Sequence, residues 1–203
     1  TVACCLDCDG NDDNYCCISV DTYHVAEQQE TANDQNTGED LSSALLTIQE
    51  AIARADSGNL IVVHPGTYDY ITVDKDVSIV SLAYINDGNN DHLISLTTID
   101  GLGITNAVTF TNVDTSRLIG FTITGGHADE GPGIFIQNSS PFLKDLVIHG
   151  NNSTGSTGGK GGGIYCIGSS EHPSEPYIQN VTIANNSATI AGGMYVNEYS
   201  SPH

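Results

Sequence analysis

The fold is decided by one stretch, residues 118–196, in which a short pattern occurs three times. The three copies are Leu118-Ile-Gly-Phe-Thr-Ile-Thr-Gly-Gly126, Leu143-Lys-Asp-Leu-Val-Ile-His-Gly-Asn-Asn152 and Ile178-Gln-Asn-Val-Thr-Ile-Ala-Asn-Asn186. A second pattern falls between and after them, thirty residues apart, as Gly133-Ile-Phe-Ile136, Gly163-Ile-Tyr-Cys166 and Gly193-Met-Tyr-Val196. Recurrence at about 20–50 residues is the signature of a repeat architecture.

Each copy alternates apolar and polar residues, which places every second side chain on one face of a strand. Aligning the copies makes Ile123, Ile148 and Ile183 equivalent, at intervals of 25 and 35 residues. Serine-rich segments at Ser139-Ser-Pro141, Ser169-Ser170 and Ser200-Ser-Pro202 are predicted to be equivalent turns that mark corners. Short strands joined by repeated corners predict an all-β right-handed parallel β-helix. An antiparallel sandwich of short strands is the alternative, and it gives no reason for turns that repeat in step.

Composition sets the class of partner. The 203 residues include 25 Asp+Glu and only five Lys+Arg, a net charge of −20. Such a surface repels nucleic acid and anionic membranes, so we expect no nucleic-acid partner. Since no apolar run approaches the roughly 18 residues needed to cross a bilayer, we also expect no membrane span. We expect a secreted or cell-surface protein.

Residues 1–17 form a Cys/Asp-rich loop or arm, distinct from residues 18–203. We interpret its cysteines as disulfide partners of undetermined connectivity, namely Cys4, Cys5, Cys8, Cys16 and Cys17. A four-thiolate zinc site is the alternative, because Cys5 and Cys8 have the spacing of half of such a site. Cys166 lies at an alternating strand position and is predicted to be a small buried core residue.

The stretch Asp7-Cys-Asp-Gly-Asn-Asp-Asp13 supplies oxygen ligands around a glycine turn. Calcium requires about 6–8 oxygen ligands, so a calcium loop using Asp7, Asp9, Asn11 and Asp13 is one interpretation. A solvated acidic loop is the other. The sequence resembles part of the Asp-rich calcium repeats of thrombospondin-type and dockerin modules, and Ca²⁺ is the only cofactor we expect.

Residues 41–55 predict one amphipathic helix. Leu45, Ile48, Ile52 and Ala55 recur at helical spacing, and Ser42 or Ser43 is the expected N-cap. A strand at Tyr23-His-Val-Ala26 precedes it, and a buried strand leading into a Pro-Gly turn follows at 59–68. A helix at this place caps the first repeat, whereas no terminal cap is recognisable before His203.

The order of these motifs resembles the beginning of right-handed parallel β-helix proteins of the pectate-lyase-like superfamily. The residues that carry the resemblance are Tyr-x-Val from Tyr23, Asn-Asp-x-Asn-x-Gly from Asn33, Thr47-Ile-Gln-Glu-Ala-Ile52 and Val62-Val-His-Pro-Gly-Thr-Tyr68. The later glycine-rich units are similar to repeats of polymorphic outer-membrane adhesins. The resemblance covers about residues 20–203 and implies a fold, while the superfamily includes lyases, hydrolases and adhesins.

Lyases of this superfamily use a Lys or Arg base, often with Ca²⁺. The bases here are isolated: Arg54, Lys75, Arg117, Lys144 and Lys160. The nearest acidic candidates for a hydrolase do not match the motif of that class: Asp114, Asp129, Glu130 and Asp145. His127 and His149, which follow strands at similar positions, and His64 before the Pro-Gly turn are interpreted as hydrogen-bonded corner residues, with metal or acid–base work as the alternative. We assign no catalytic residue.

Five sequons are candidate glycosylation sites: Asn138, Asn151, Asn152, Asn180 and Asn185. They also arise where Asn stacks in ladders at β-helix turns. From all of this we expect a non-catalytic extracellular structural or adhesive scaffold, with itself, end to end, or further β-helix coils as partner. The alternatives are the N-terminal part of a polysaccharide lyase or hydrolase, or a glycan-binding module using Tyr68, Tyr70, Tyr84 and Tyr199.

Overall fold

The chain is an all-β protein of parallel strands. The structure is a computed structural model and describes residues 21–83, 91–155 and 158–203. The strands are β1 Thr22–Val25, β2 Leu60–Val63, β3 Gly66–Asp69, β4 Ile71–Val73, β5 Ser78–Ser81, β6 Thr97–Asp100, β7 Val108–Thr111, β8 Arg117–Ile119, β9 Thr122–Thr124, β10 Ile134–Gln137, β11 Phe142–His149, β12 Ile164–Ile167, β13 Tyr177–Ala184 and β14 Met194–Val196. The helices are a 3-10 helix Leu41–Ser43, α1 Ile48–Arg54 and α2 Asp91–Ile94.

From β2 onward the strands follow one another in three rows. Row I contains β2, β5, β8 and the first halves of β11 and β13; row II contains β3, β6, β9 and the second halves; row III contains β4, β7, β10, β12 and β14. Within each row, a strand pairs in parallel with the next one along the chain. One strand from each row makes one repeat, and the described chain passes through the rows five times. Because every strand pairing among the described residues is parallel, the antiparallel sandwich is excluded.

The register confirms both alignments made from the sequence. Ile148 of β11 pairs with Ile123 and with Ile183. In row III, Ile164 pairs with Ile134 on one side and with Met194 on the other. Since residues two apart share a face, the inward side chains of successive repeats lie over one another and form a single core, in which Phe110, Phe121, Leu118 and Ile123 are completely buried.

Three residues in the left-handed region turn the chain between rows I and II. They are Gly120, Asp145 and Asn180, with φ angles of 84°, 50° and 51°. They follow register partners Ile119, Lys144 and Gln179, so they occupy one corner in three successive repeats. Glycine, aspartate and asparagine tolerate this conformation best, which explains why the corner repeats in type as well as in place.

The predicted helix 41–55 is divided in two. Asp40 caps the 3-10 helix, because its Oδ1 accepts from Ser43 N at 2.9 Å, and Thr47 caps α1. Between them Leu45 is extended, donating its N–H to His24 O and accepting from Ala26 N. The prediction of Ser42 or Ser43 as N-cap was therefore wrong, because strand β1 takes the backbone hydrogen bonds of Leu45.

The serine corners also differ from the prediction. Ser139 N donates to Ser174 Oγ at 3.0 Å, and Ser174 forms a parallel bridge with Ser200. Ser174, and not Ser169-Ser170, is therefore the equivalent of Ser139. The physical reason is the connection from β12 to β13, which holds nine residues where the connection from β10 to β11 holds four.

Candidate functional site

A polar cleft lies at the corner between rows II and III. It has a volume of about 410 Å³ and is lined by Asn106, Ala128, Asp129, Glu130, Phe135, Gly155, Gly158, Gly159 and Lys160. Glu130 and Lys160 occupy neighbouring repeats, where they form a parallel bridge. The stacking of repeats thus brings the base Lys160 next to the acids Asp129 and Glu130. No feature of the sequence alone indicated this contact.

Lys160 is the cation of this cleft. Its Nζ lies 3.8 Å from Glu130 Oε1 and 5.4 Å from the centroid of the Tyr195 ring. Both side chains of the ion pair are about a third exposed, so water screens the pair and its contribution to stability is small. Asn106 Nδ2 donates to Glu130 O at 2.6 Å and to Gly131 O at 2.7 Å, which fixes the backbone on which Glu130 stands.

One wall of the cleft belongs to a ladder of aromatic rings on the outer face of row III. Phe135, Tyr165 and Tyr195 are register partners, with ring centroids 5.6 Å apart at each step and ring planes within 5° of parallel. Tyr165 is buried within the ladder, and its hydroxyl accepts from Asn197 Nδ2 at 2.8 Å. Burial raises the pKa of the Tyr165 hydroxyl. Phe135, half-buried at the cleft end, was not singled out from the sequence.

A second polar contact joins two histidines at the other end of the molecule. His24 Nδ1 lies 3.2 Å from His64 Nε2, with ring centroids 5.5 Å apart and ring planes tilted by 53°. Burial lowers the pKa of both imidazoles; the Asp40 carboxylate opposes this for His24, and the nearby His24 adds to it for His64. Sequence reasoning named His64 and missed His24, because only the pairing of β1 with β2 brings them together.

His127 and His149 are not register partners, as their joint metal or acid–base role would require, whereas His127 makes the hydrogen bond expected of a corner residue. His127 pairs with Asn152, three residues beyond His149, and its Nε2 lies 3.1 Å from Thr154 Oγ1. Among the described residues, no group of three or more His, Cys, Asp or Glu is arranged to hold a metal ion.

Three of the other cationic candidates make contacts that stabilise the fold. Arg54 forms an ion pair of 2.7 Å with Glu50 and donates to Asn36 O and Asp34 O. Lys75 Nζ donates to Ala53 O and Ala55 O, the carbonyls at the end of α1. Arg117 lies over the Phe142 ring at 5.6 Å.

The acidic candidates outside the cleft, and Cys166, make contacts within the fold. Asp114 N donates to Asp76 Oδ1 at 2.9 Å. Asp145 is buried at the corner between rows I and II. The prediction for Cys166 is confirmed: it is a buried free thiol, and burial raises its pKa.

The tyrosines proposed as glycan platforms differ in exposure. Tyr70 and Tyr199 are exposed, whereas Tyr68 is 3% exposed and its hydroxyl donates to His64 O at 2.8 Å. Burial raises the pKa of Tyr68 to about 12. Tyr68 is therefore not a platform, because its ring fills the core. Tyr84 lies outside the described residues.

The asparagines of the sequons separate into two groups. Asn152, Asn180 and Asn185 are exposed and Asn138 is half-buried. Asn151 is 1% exposed, and its Nδ2 donates to Ile123 O, His149 O and Asn186 Oδ1. A glycan on Asn151 has no room in the folded chain. The ladder expected from the sequence is present at Asn151 and Asn186.

The predicted disulfide and calcium residues within positions 4–17 lie outside the described residues. None of the helices in the described ranges is long and apolar enough to cross a bilayer. Comparison with protein-family models and with curated proteins finds no match for the chain.

Proposed function

We propose that the chain is a right-handed parallel β-helix of the pectate-lyase-like type that serves as an extracellular structural or adhesive scaffold. The fold part is supported by the three rows of parallel strands in unbroken register. Parallel strands joined by crossover connections are right-handed in about 98% of cases, which supports the hand. In such solenoids each repeat contacts only its neighbours, and these contacts stabilise it.

The observation that supports the scaffold role is the incomplete burial of apolar side chains in the fifth repeat. Four apolar residues of this repeat pack on the core but are only partly buried, namely Ile178, Val181, Ile183 and Met194. Their register partners are at most 1% exposed, namely Leu143, Leu146, Ile148 and Ile164. Val196 and Tyr177 are 42% and 50% exposed. A further repeat stacked on β13 and β14 would bury these side chains and pair the outer edges of the two strands. Within the described chain, the beginning of the β13 edge is occupied by the bond from Ile178 N to His203 O.

That further repeat comes either from the same polypeptide or from a second copy, and end-to-end stacking of copies gives a filament. The cell-surface location is supported by the acidic composition and by the cysteines of residues 1–17. Calcium bound by Asp7, Asp9, Asn11 and Asp13 would order that arm independently of the repeats.

The experiment compares assembly of the native chain with two lysine variants of β13. Ile183→Lys charges the inner face of the fifth repeat, while Thr182→Lys charges the exposed outer face one residue away. Sedimentation and electron microscopy should show concentration-dependent linear assembly of the native chain and of Thr182→Lys. Ile183→Lys should remain monomeric with an unchanged β-sheet circular dichroism spectrum. A native chain that stays monomeric at all concentrations contradicts self-stacking.

A glycan-binding role is the second candidate, and the cleft favours it. Phe135 offers an aromatic surface, while Asp129 and Glu130 offer hydroxyl acceptors beside the Lys160 donor. With two carboxylates against one ammonium group and a net charge of −20, the site suits a neutral oligosaccharide better than an acidic one.

Binding of neutral oligosaccharides should weaken in Asp129→Asn and Phe135→Ala and persist in Phe142→Ala, an aromatic of row I outside the cleft. Loss in all three variants, or in none, contradicts the cleft as the site. Release of unsaturated sugars in the same mixtures would instead favour the lyase alternative.

A further inference from the structure

The contact between His24 and His64 has a geometry that a metal ion can exploit. Two imidazole nitrogens bound to one ion at about 2.0–2.1 Å, with a near-tetrahedral angle between them, lie about 3.3 Å apart. His24 Nδ1 and His64 Nε2 lie 3.2 Å apart. The nitrogens face each other in a hydrogen bond whose donor depends on the tautomer. Both lone pairs can bind one ion when each neutral ring carries its proton on the other nitrogen, after a small rotation of each ring.

Both residues stand on backbone that is fixed from several sides. His24 N donates to Gly38 O at 2.7 Å, and His64 N donates to Val25 O at 2.8 Å. The Tyr68 hydroxyl holds the carbonyl of His64. Because β1 and β2 pair in register over four residues, and His64 directly follows β2, the backbone positions that carry the two imidazoles are fixed relative to each other. Ligands held in this way lose little conformational freedom when an ion binds.

We propose that His24 and His64 form a chelating pair for one borderline divalent transition-metal ion, such as Zn²⁺, Ni²⁺ or Cu²⁺. Imidazole nitrogen suits these ions, whereas Ca²⁺ and Mg²⁺ require oxygen ligands. Water completes the coordination, since no third His, Cys, Asp or Glu joins the pair within the described chain.

The electrostatic surroundings favour a cation. The Asp40 carboxylate interacts with His24 through space and raises its pKa against the effect of burial. Burial keeps both imidazoles in the neutral form that binds metal, so metal and proton compete for the same nitrogens. Binding should therefore weaken as acidification protonates the two imidazoles.

The test titrates Zn²⁺ into the full chain and follows the histidine ring resonances by NMR. A resonance-specific readout is needed because carboxylates and any free thiols elsewhere in the chain can also bind Zn²⁺. The rings of His24 and His64 should shift together and saturate at one ion. His24→Gln should weaken the response of His64 by at least about tenfold, and His64→Gln should do the same to His24.

His127→Gln is the matched control, because His127 is exposed and lies outside the pair; it should leave both responses unchanged. Amide spectra of each variant report whether the fold persists. The proposal is overturned if His64 responds equally in the folded His24→Gln variant, or if neither ring responds to Zn²⁺.

Discussion

Asn151 and Asn186 lie in register on neighbouring repeats, and Asn151 Nδ2 donates a 2.9 Å hydrogen bond to Asn186 Oδ1. The same Oδ1 accepts from Asn151 N at 3.0 Å, and Asn151 Oδ1 accepts from Gly126 N at 2.9 Å. One buried amide thus satisfies backbone groups of two repeats at a corner where no strand pairing does so.

Asn151→Ala should lower the free energy of unfolding by about 1–3 kcal/mol, because it leaves buried backbone donors and acceptors unpaired. Asn152→Ala is the control: Asn152 is exposed and bonds through its main chain, as its N–H donates to Gly126 O. Urea denaturation followed by circular dichroism measures both. Equal losses in the two variants would contradict a structural role for the ladder.

Asp145→Asn should raise the free energy of unfolding by about 1 kcal/mol, because a neutral amide is less costly to bury than an unpaired carboxylate oxygen. Asp145 Oδ2 is buried without a hydrogen-bond partner, while Asn180 Nδ2 donates to Oδ1. Asparagine also tolerates the φ of 50° at this corner. Asp129→Asn, at an exposed position, should change stability little, and a lower urea midpoint for Asp145→Asn would refute the argument.

Phe110→Ala should lower the free energy of unfolding by about 3–5 kcal/mol, because it opens a cavity in the continuous core. Thr109→Ala, one residue away on the outer face of β7, should cost much less. Chemical denaturation of the two variants tests the alternation of the strand directly. Comparable losses would mean that the inward and outward faces are wrongly assigned.

Stability should fall when the pH is lowered from about 7.5 to about 5, because His24 and His64 resist protonation in the folded state. Their folded pKa values lie below the unfolded value of about 6.5. The stabilisation is therefore present above pH 6.5 and is lost as the pH falls toward the folded pKa values. Two other titratable groups act on the pair: Asp40 interacts with His24 through space, and the Tyr68 hydroxyl donates to His64 O. The pKa of Asp40 is lowered by its hydrogen bonds to Ser42 and Ser43, and burial raises the pKa of Tyr68 to about 12, so neither group changes its ionisation state in this window.

Thermal melts at several pH values measure this effect, and the His24→Gln/His64→Gln double variant should lose much of the slope. His127→Gln should keep it. A slope that is identical in the native chain and the double variant would assign the pH dependence to other groups.

The repeats could be predicted because inward positions must be apolar in every copy, and this requirement left Ile123, Ile148 and Ile183 visible in the sequence. Pairings between distant segments left no such trace. The contact of His24 with His64 and the use of the Leu45 backbone by β1 depend on which strands become neighbours. Tyr68 was misjudged because its ring is apolar enough for the core once its hydroxyl finds a carbonyl.

The thirty-residue spacing of Gly133, Gly163 and Gly193 was informative for a reason that the sequence did not reveal. The β10–β11 connection is five residues shorter than the β12–β13 connection, and the β11–β12 connection is longer than the β13–β14 connection by the same number. The summed length of the two connections is therefore the same in both repeats, although each connection differs in length. The serine corners lie inside only one of the two connections, and for this reason they were aligned wrongly.

The tolerance of these connections to length has an evolutionary consequence. Five extra residues enter between β11 and β12, beside the cleft, without displacing a single pairing of β12 with β10. Insertions at such corners can accumulate independently of one another, while the spacing between paired strands stays constant at about 4.8 Å. The same corners are suitable for grafting foreign peptides at fixed separations along the paired strands.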